Sequence, residues 1–145
     1  LLTRRTENLT SHPGQISFPG GQMENTDGTP EETALRETEE EVGLHRSYVD
    51  VIGRLSDYET RTGFRVTPVV ALVTPPFDLE QDFDEVAEFF EVPLSFLLDP
   101  INHQRHSQIS EGIKRDFYAI HYDQYFIWGA TAGIIVNFYE VLKSS

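Results

Sequence analysis

The chain has 145 residues, 39% of them hydrophobic, which predicts one domain with a buried core. Its formal net charge of −13 argues against nucleic acid and against an anionic membrane surface as partners, because both are bound through an excess of Lys and Arg. Cysteine is absent, so disulfides, thiolate zinc sites and thiol nucleophiles are excluded. No apolar run approaches the roughly 18–20 residues that span a bilayer. No signal peptide is visible, which favours the cytoplasm, and residues upstream of Leu1 are expected to be missing.

The first 21 residues predict two short strands followed by a tight turn. Residues 1–3 have strand character, and residues 15–19 have it again before the pattern breaks at Gly20 and Gly21. Because glycine lacks a Cβ, two glycines at this point let the backbone approach a metal ion or a phosphate closely.

Residues 30–42 are predicted to form a helix. Thr29 is placed as the N-cap residue, with Pro30 at the first helical position and Glu32 at the third, as in a capping box. Gly43 is well placed to end the helix in a left-handed conformation. The buried stripe is expected to consist of Ala34, Leu35, Thr38 and Val42.

Positions 37–41 of this helix carry four carboxylates, those of Glu37, Glu39, Glu40 and Glu41. Glu37 and Glu41 are four residues apart and share one face, as do Arg36 and Glu40. Like charges at this spacing destabilise an isolated helix by about 0.2–0.5 kcal/mol per pair, so the cluster makes sense if a divalent cation binds over it. Ligands that are all oxygen favour Mg²⁺ or Mn²⁺ over zinc. A solvated acidic helix face is the alternative interpretation.

Strands and helices alternate along the rest of the chain, which favours one mixed α/β domain over residues 1–145 with helices on both faces of a sheet. Strands are predicted at residues 49–55, 64–73, 89–94, 114–120 and 125–128, a helical turn at 94–98 and a helix at 130–143. His103 and His106 are assigned to a polar surface loop in preference to a metal pair or a phosphate site. The core is expected to include Tyr118, Tyr125, Phe126 and Trp128.

The pattern Arg36-Glu37-x-x-Glu40-Glu41-x-Gly43, with the upstream Gly-Gly pair, resembles the Nudix box of the Nudix hydrolases. That resemblance implies an α/β/α sandwich with a mixed sheet, and metal-dependent cleavage of a diphosphate linked to a nucleoside. Three departures accompany the match, one of which is Thr38, where an aliphatic residue is usual. The family pattern has a glutamate where this chain has Gly28, with Asp27 as the nearest acid, and the Gly-Gly pair lies two residues farther upstream than usual.

A second motif lies in the first 21 residues. Leu2-Thr3-x-Arg5, then Gly14, then Phe18-Pro19-Gly20-Gly21, is similar to the extra motif of the coenzyme A diphosphatase branch of the family. The resemblance implies cleavage of coenzyme A or acyl-CoA into 3′,5′-ADP and 4′-phosphopantetheine or its acylated form. Thr6 and Thr10 depart from the branch motif, which has Ser or Ala at the first position and Arg at the second.

The resemblance also implies roles for individual residues. Glu37 and Glu41 would be metal ligands together with a backbone carbonyl at Gly20 or Gly21, and Glu40 would bind a second metal ion or orient a water. Arg36 is expected to hold the carboxylates by ion pairing. A further acid from outside the box is assigned to Glu85 first and to Glu88 second, with an exposed acidic loop as the alternative. Substrate contacts are assigned to Arg5, His12, Gly14, Gln15, Gly20 and Gly21, and for His12 a structural hydrogen bond is the alternative.

Two classes of function are left open by the sequence. The first is a coenzyme A diphosphatase, with ADP-ribose, NADH and related dinucleoside diphosphates as the alternative substrates. The second is a non-catalytic Nudix-like module that binds a nucleotide. The intact set of Glu37, Glu40 and Glu41 favours the enzyme, because sensing a ligand does not require it. The assembly state is expected to be a monomer or a homodimer.

Overall fold

The computed structural model describes residues 1–6, 14–75, 79–80 and 86–145. These residues form two compact units, Leu1–Glu91 and Val92–Ser145. The described elements are β1 (Leu2–Arg5), β2 (Ile16–Ser17), α1 (Pro30–Val42), β3 (Val49–Arg54), β4 (Tyr58–Glu59), β5 (Arg65–Val66), β6 (Val69–Val73), β7 (Val86–Phe90), α2 (Leu94–Leu97), β8 (Gln104–Ser110), β9 (Ile113–Tyr122), β10 (Tyr125–Trp128) and α3 (Ala130–Lys143). Short 3-10 helices lie at Arg46–Tyr48 and Pro100–Asn102. A single domain over residues 1–145 stays a prediction.

In the first unit, β1 is the middle strand of a three-stranded sheet in the order β2-β1-β7, with both pairings antiparallel. Leu2 and Thr3 on β1 are buried, at 1% and 2% exposure. The backbone beyond the β1–β2 ladder continues the pairing, because Arg5 N donates to Gln15 O at 2.9 Å and Gly14 N donates to Arg5 O at 3.0 Å. Strands β3 and β6 form a separate antiparallel pair, as do β4 and β5.

Helix α1 has the bounds that the sequence predicts. Thr29 Oγ1 accepts a hydrogen bond from Glu32 N at 3.2 Å, and Gly43 closes the other end in the left-handed region at φ 72°. The capping box is only half formed, because the Glu32 carboxylate accepts from Arg46 Nη1 at 3.0 Å instead of returning to the cap. Val42 on the packed side is fully buried.

The second unit is an antiparallel sheet in the order β10-β9-β8, against which α3 packs through contacts with β9 and β10. Ile120 on β9 and Ile127 on β10 are at 0% exposure and share one face of the sheet, since they are partners in the ladder. Ala132 and Ile135 of α3 are also buried, which makes these four side chains the apolar centre of the unit.

Several predictions from sequence differ from the structure. The strand expected at residues 64–73 is divided into β5 and β6, because Pro68 has no N–H to donate to a ladder, although its carbonyl accepts from Leu55 N at 3.0 Å. The strand expected at 89–94 instead ends at Phe90. The polar loop expected around His106 is strand β8. All six strand pairings formed by the described residues are antiparallel.

The aromatic residues assigned to the core also divide into two groups. Tyr118 and Tyr125 are half-buried. Phe126 and Trp128, by contrast, are exposed at 39% and 37%. The expectation of a core position is therefore wrong for Phe126 and Trp128, which lie on the face of β10 opposite to buried Ile127.

Among the described residues, no helix combines the length and the apolar character that crossing a bilayer requires.

Candidate active site

The Glu37 carboxylate lies directly against the backbone of Gly21. A Cβ atom added at Gly21 would be 2.5 Å from Glu37 Cδ and 2.7 and 2.9 Å from the two carboxylate oxygens. The Glu37 side chain is 14% exposed. Gly20 differs, because a Cβ there would meet no atom within 4 Å. Of the two glycines in the predicted turn, Gly21 is therefore the one whose missing side chain makes room for a candidate metal ligand.

The Arg36 guanidinium connects the helix to the preceding loop. Its Nε and Nη2 donate to the two oxygens of Asp27 at 3.1 and 2.8 Å, a bidentate pair. Nη1 donates to Glu37 at 2.9 Å and to Glu40 at 3.3 Å, and Nη2 also donates to the Gln22 carbonyl at 3.1 Å. The prediction that Arg36 holds carboxylates by ion pairing agrees with these contacts.

Asp27 is the residue whose importance the sequence did not reveal. Its side chain is 5% exposed and accepts from Thr33 Oγ1 at 3.0 Å and from Glu24 N at 2.9 Å, besides the two bonds from Arg36. Hydrogen bonds from Arg36, followed by that from the Glu24 backbone, hold the pKa of Asp27 well below its usual range, and the same pairing raises the pKa of Arg36. The only signal in the sequence was an acid beside Gly28, where the family pattern has glutamate.

The remaining acids of the helix differ in burial. Glu41 is buried at 6% exposure, whereas Glu39 and Glu40 are exposed. Within the described part of the chain, no three carboxylate or histidine side chains converge into a ready set of metal ligands. The donor chemistry nevertheless suits a hard cation, because Mg²⁺ is commonly held by one or two carboxylates and takes its other oxygens from water and substrate phosphates. Glu37 beside the open backbone of Gly21 fits such a partial site.

The other predicted site residues are distributed as follows. Arg5, Gly14 and Gln15 meet through the backbone pairing next to β1 and β2, with Gly14 in a left-handed turn at φ 72°. Their contacts with a substrate stay a prediction. His12 and Glu85 lie outside the described residues. Glu88, the second choice for the outside acid, is on β7 and accepts from Arg4 Nε at 2.9 Å, a pairing that already engages its carboxylate.

Comparison with known proteins identifies the class. The NUDIX domain family matches residues 1–113. The uncharacterized Nudix hydrolase NudL of Escherichia coli strain K12 is 42% identical over 135 residues, covering 93% of this chain and 70% of that protein. NudL of Shigella boydii serotype 18 matches to the same extent. The crystal structure of a MutT protein from Methanosarcina mazei Go1 superposes with a TM-score of 0.52 at 30% identity, covering 67% of this chain and 68% of that one.

The chain therefore belongs to the Nudix family, and the predicted Nudix fold is confirmed. Its class is that of a diphosphate hydrolase.

Gly21→Ala should lower kcat/KM by about tenfold to a hundredfold while leaving the melting temperature nearly unchanged, because displacing a reacting group by about 1 Å can cost a hundredfold. The added methyl group would displace the Glu37 carboxylate, which is the far end of a flexible side chain, so the helix backbone need not unfold. Gly20→Ala is the matched control, since its methyl group would enter open space. Equal losses of activity in the two variants would contradict the special role of Gly21.

Asp27→Asn should change the dependence of stability on pH. Because the folded pKa of Asp27 is lowered, its contribution to stability is present above the unfolded pKa of about 3.9 and is lost as the pH falls below it. The wild-type melting temperature should therefore exceed that of Asp27→Asn most at pH 6, and the difference should shrink below pH 4, as melting curves from pH 6 to pH 2 would show.

Glu31→Gln provides the control for this measurement. The hydrogen bonds from Arg54 lower the pKa of Glu31 to about 2, so this variant should also lose its stability difference at acid pH. Within the described residues Glu31 pairs with Arg54 and not with Arg36, so its variant should keep hydrolytic activity, whereas Asp27→Asn should lose activity as well. Full activity in Asp27→Asn would show that the Arg36 pairing is purely structural.

Proposed function

We propose that this Nudix protein is a metal-dependent diphosphatase that cleaves coenzyme A or an acyl-CoA into 3′,5′-ADP and 4′-phosphopantetheine or its acylated form. Two observations of different kinds support this proposal. The chemistry of hydrolysis rests on the site around Glu37, and the choice of coenzyme A rests on the motif formed by Leu2, Thr3, Arg5, Gly14 and residues 18–21.

The single observation that carries the hydrolase is the Glu37 carboxylate held between Gly21 and Arg36. A carboxylate that is mostly withdrawn from solvent, fixed by one guanidinium and placed against bare backbone, is positioned rather than solvated. This arrangement opposes the alternative in which the acids are a solvated helix face. It also favours an enzyme over a nucleotide-sensing module, because binding alone does not require an oriented carboxylate.

The residues that would hold the cation are Glu37, Glu40 and Glu41, with the Gly21 carbonyl. When bound, a divalent cation neutralises phosphoryl oxygens and makes a water molecule nucleophilic near neutral pH. Arg36 orients Glu37 and reaches Glu40, while Asp27 holds Arg36 in place from the loop. Glu85 is proposed as the acid from outside the box.

The substrate assay tests the proposal directly. Coenzyme A, ADP-ribose and NADH are each incubated with the protein in Mg²⁺ and in Mn²⁺, and the products are separated by chromatography. We expect coenzyme A to give the highest kcat/KM and to yield 3′,5′-ADP. The Glu41→Gln protein, purified in the same way, controls for contaminating hydrolases.

Three other results have distinct meanings. A kcat/KM for ADP-ribose or NADH that exceeds the value for coenzyme A by tenfold or more would contradict the coenzyme A branch and leave the hydrolase. Binding of any of the three compounds without turnover would favour the non-catalytic module. Turnover that is unchanged in Glu41→Gln would contradict the site. A cytoplasmic location and a monomer or homodimer stay predictions beside this proposal.

A further inference from the structure

One face of the β8–β9–β10 sheet carries a continuous group of ring side chains. Strand alternation and the ladder register assign to this face, which we name the aromatic face, the residues Gln104, His106, Gln108, Ser110, Ile113, Arg115, Phe117, Ala119, His121, Phe126 and Trp128. The opposite face contains the buried pair Ile120 and Ile127. The aromatic face therefore lies on the opposite side of the sheet from Ile120 and Ile127, which belong to the apolar centre of the unit.

The rings of the aromatic face contact one another. His106 stacks on Phe117 with centroids 5.6 Å apart and an interplanar angle of 21°. Phe117 meets Trp128 edge-on at 5.7 Å, and His121 lies 4.6 Å from Phe126. His106 completes the group at 6.1 Å from Phe126. Such mutual packing holds the rings in fixed positions, so their outer surfaces are presented without further ordering.

The charge of the aromatic face is opposite to that of the chain. The chain has 24 Asp and Glu residues in 145, yet none of the residues on this face is acidic. Arg115 is exposed and makes no ion pair with any residue that the structure describes, whereas Arg105 on the opposite face pairs with Asp116 at 3.4 Å. Among the described residues assigned to this face, an anion therefore meets one exposed guanidinium and no carboxylate.

The spacing of these groups matches a particular kind of ligand. Phe117 and Arg115 are two residues apart on β9, which separates them by about 7 Å along the strand. A planar base stacked on Phe117 and His106, with a phosphate directed along β9, would reach toward Arg115. Base stacking on aromatic side chains contributes about 1–3 kcal/mol per base, and a guanidinium binds phosphate through paired donors.

We propose that the aromatic face is a binding site for a mononucleotide, with the base on the rings and the phosphate on Arg115. This inference does not depend on the identity of the hydrolysed diphosphate. A second copy of the chain is the less favoured occupant, because a two-fold symmetric contact would place this face against its own copy, which offers no acidic residue on the same face to pair with Arg115. Long nucleic acids are disfavoured by the net charge of −13.

The experiment uses Trp128 as the reporter, since it is the only tryptophan in the sequence. Its fluorescence is measured in EDTA, which prevents turnover, while adenosine 3′,5′-bisphosphate, AMP, adenosine and ribose 5-phosphate are added in separate titrations. We expect saturable quenching by the two nucleotides, with the bisphosphate the tighter, weaker quenching by adenosine and none by ribose 5-phosphate.

Variants assign the signal to the face. Arg115→Gln should weaken binding of the bisphosphate about tenfold through loss of a charged hydrogen bond. Phe117→Leu should weaken it about tenfold through loss of stacking. Arg105→Gln, which removes a cation from the opposite face of the same sheet, should leave the affinity unchanged.

Light scattering with and without nucleotide, at two protein concentrations, tests the alternative occupant. Equal effects of Arg115→Gln and Arg105→Gln, absence of quenching, or a dimer that buries Trp128 and is disrupted by Phe117→Leu would each overturn the proposal. Loss of hydrolysis in the substrate assay, with quenching intact, would overturn the diphosphatase and not this site.

Discussion

Replacement of Glu41 by glutamine should lower kcat/KM by about a hundredfold or more while the protein stays folded. Glutamine keeps the size of the buried side chain and removes its negative charge, so a hard cation loses an anionic ligand. A bound metal ion contributes several kcal/mol to the transition state, and each 1.4 kcal/mol corresponds to about tenfold in rate. The measurement is steady-state hydrolysis in saturating Mg²⁺, with circular dichroism to verify folding.

Glu39→Gln is the matched control for this variant. Glu39 is an exposed acid of the same helix, two positions from Glu41, and removal of its charge should be nearly silent. Equal losses in Glu41→Gln and Glu39→Gln would indicate that the net charge of the helix matters and not a particular ligand.

Saturating Mg²⁺ or Mn²⁺ should raise the melting temperature by about 5–10 °C. A cation that binds only the folded state at a hundred times its Kd stabilises that state by about 2.7 kcal/mol. In a domain of this size, each kcal/mol shifts the melting temperature by roughly 2–4 °C. The comparison is made against NaCl at equal ionic strength, because general screening also relieves repulsion in a chain of net charge −13.

The same measurement on Glu41→Gln should show little response to either cation. A wild-type melting temperature that is indifferent to millimolar Mg²⁺ and Mn²⁺ would favour a solvated acidic helix face, and with it the non-catalytic module. The two predictions are therefore linked through one residue and are read by independent measurements, one of rate and one of stability.

Local signals in the sequence predicted helix α1 well. Thr29, Pro30 and Gly43 each act through their nearest neighbours, so the bounds Pro30–Val42 follow from residues in or beside the helix. The pairing of Arg36 with Glu40 also follows from helical spacing alone. The bidentate pair with Asp27 does not, because the path of the loop between Gly21 and Thr29 determines it.

Sequence patterns did not predict strand β8, nor did they predict that Phe126 and Trp128 are exposed. The reason differs from that for Asp27. Residues 104–110 contain one aliphatic side chain, Ile109, so the alternation that indicates a half-buried strand is absent. What makes this segment a strand is its ladder with β9, a contact with a partner elsewhere in the chain. Aromatic residues were assigned to the core by type, although which side of a sheet is covered depends on the packing of α3 and cannot be read from composition.

The contacts around Arg36 have short separations along the chain, and this bears on the order in which the protein folds. Arg36 pairs with Asp27 nine residues away and with Gln22 fourteen residues away, whereas Arg4 on β1 pairs with Glu88 on β7 across eighty-four. Closing the longest of these loops costs about 2 kcal/mol more entropy than closing the shortest. The turn, the loop and the helix that build the candidate active site are therefore expected to assemble early, before the strands at the two ends of the first unit meet.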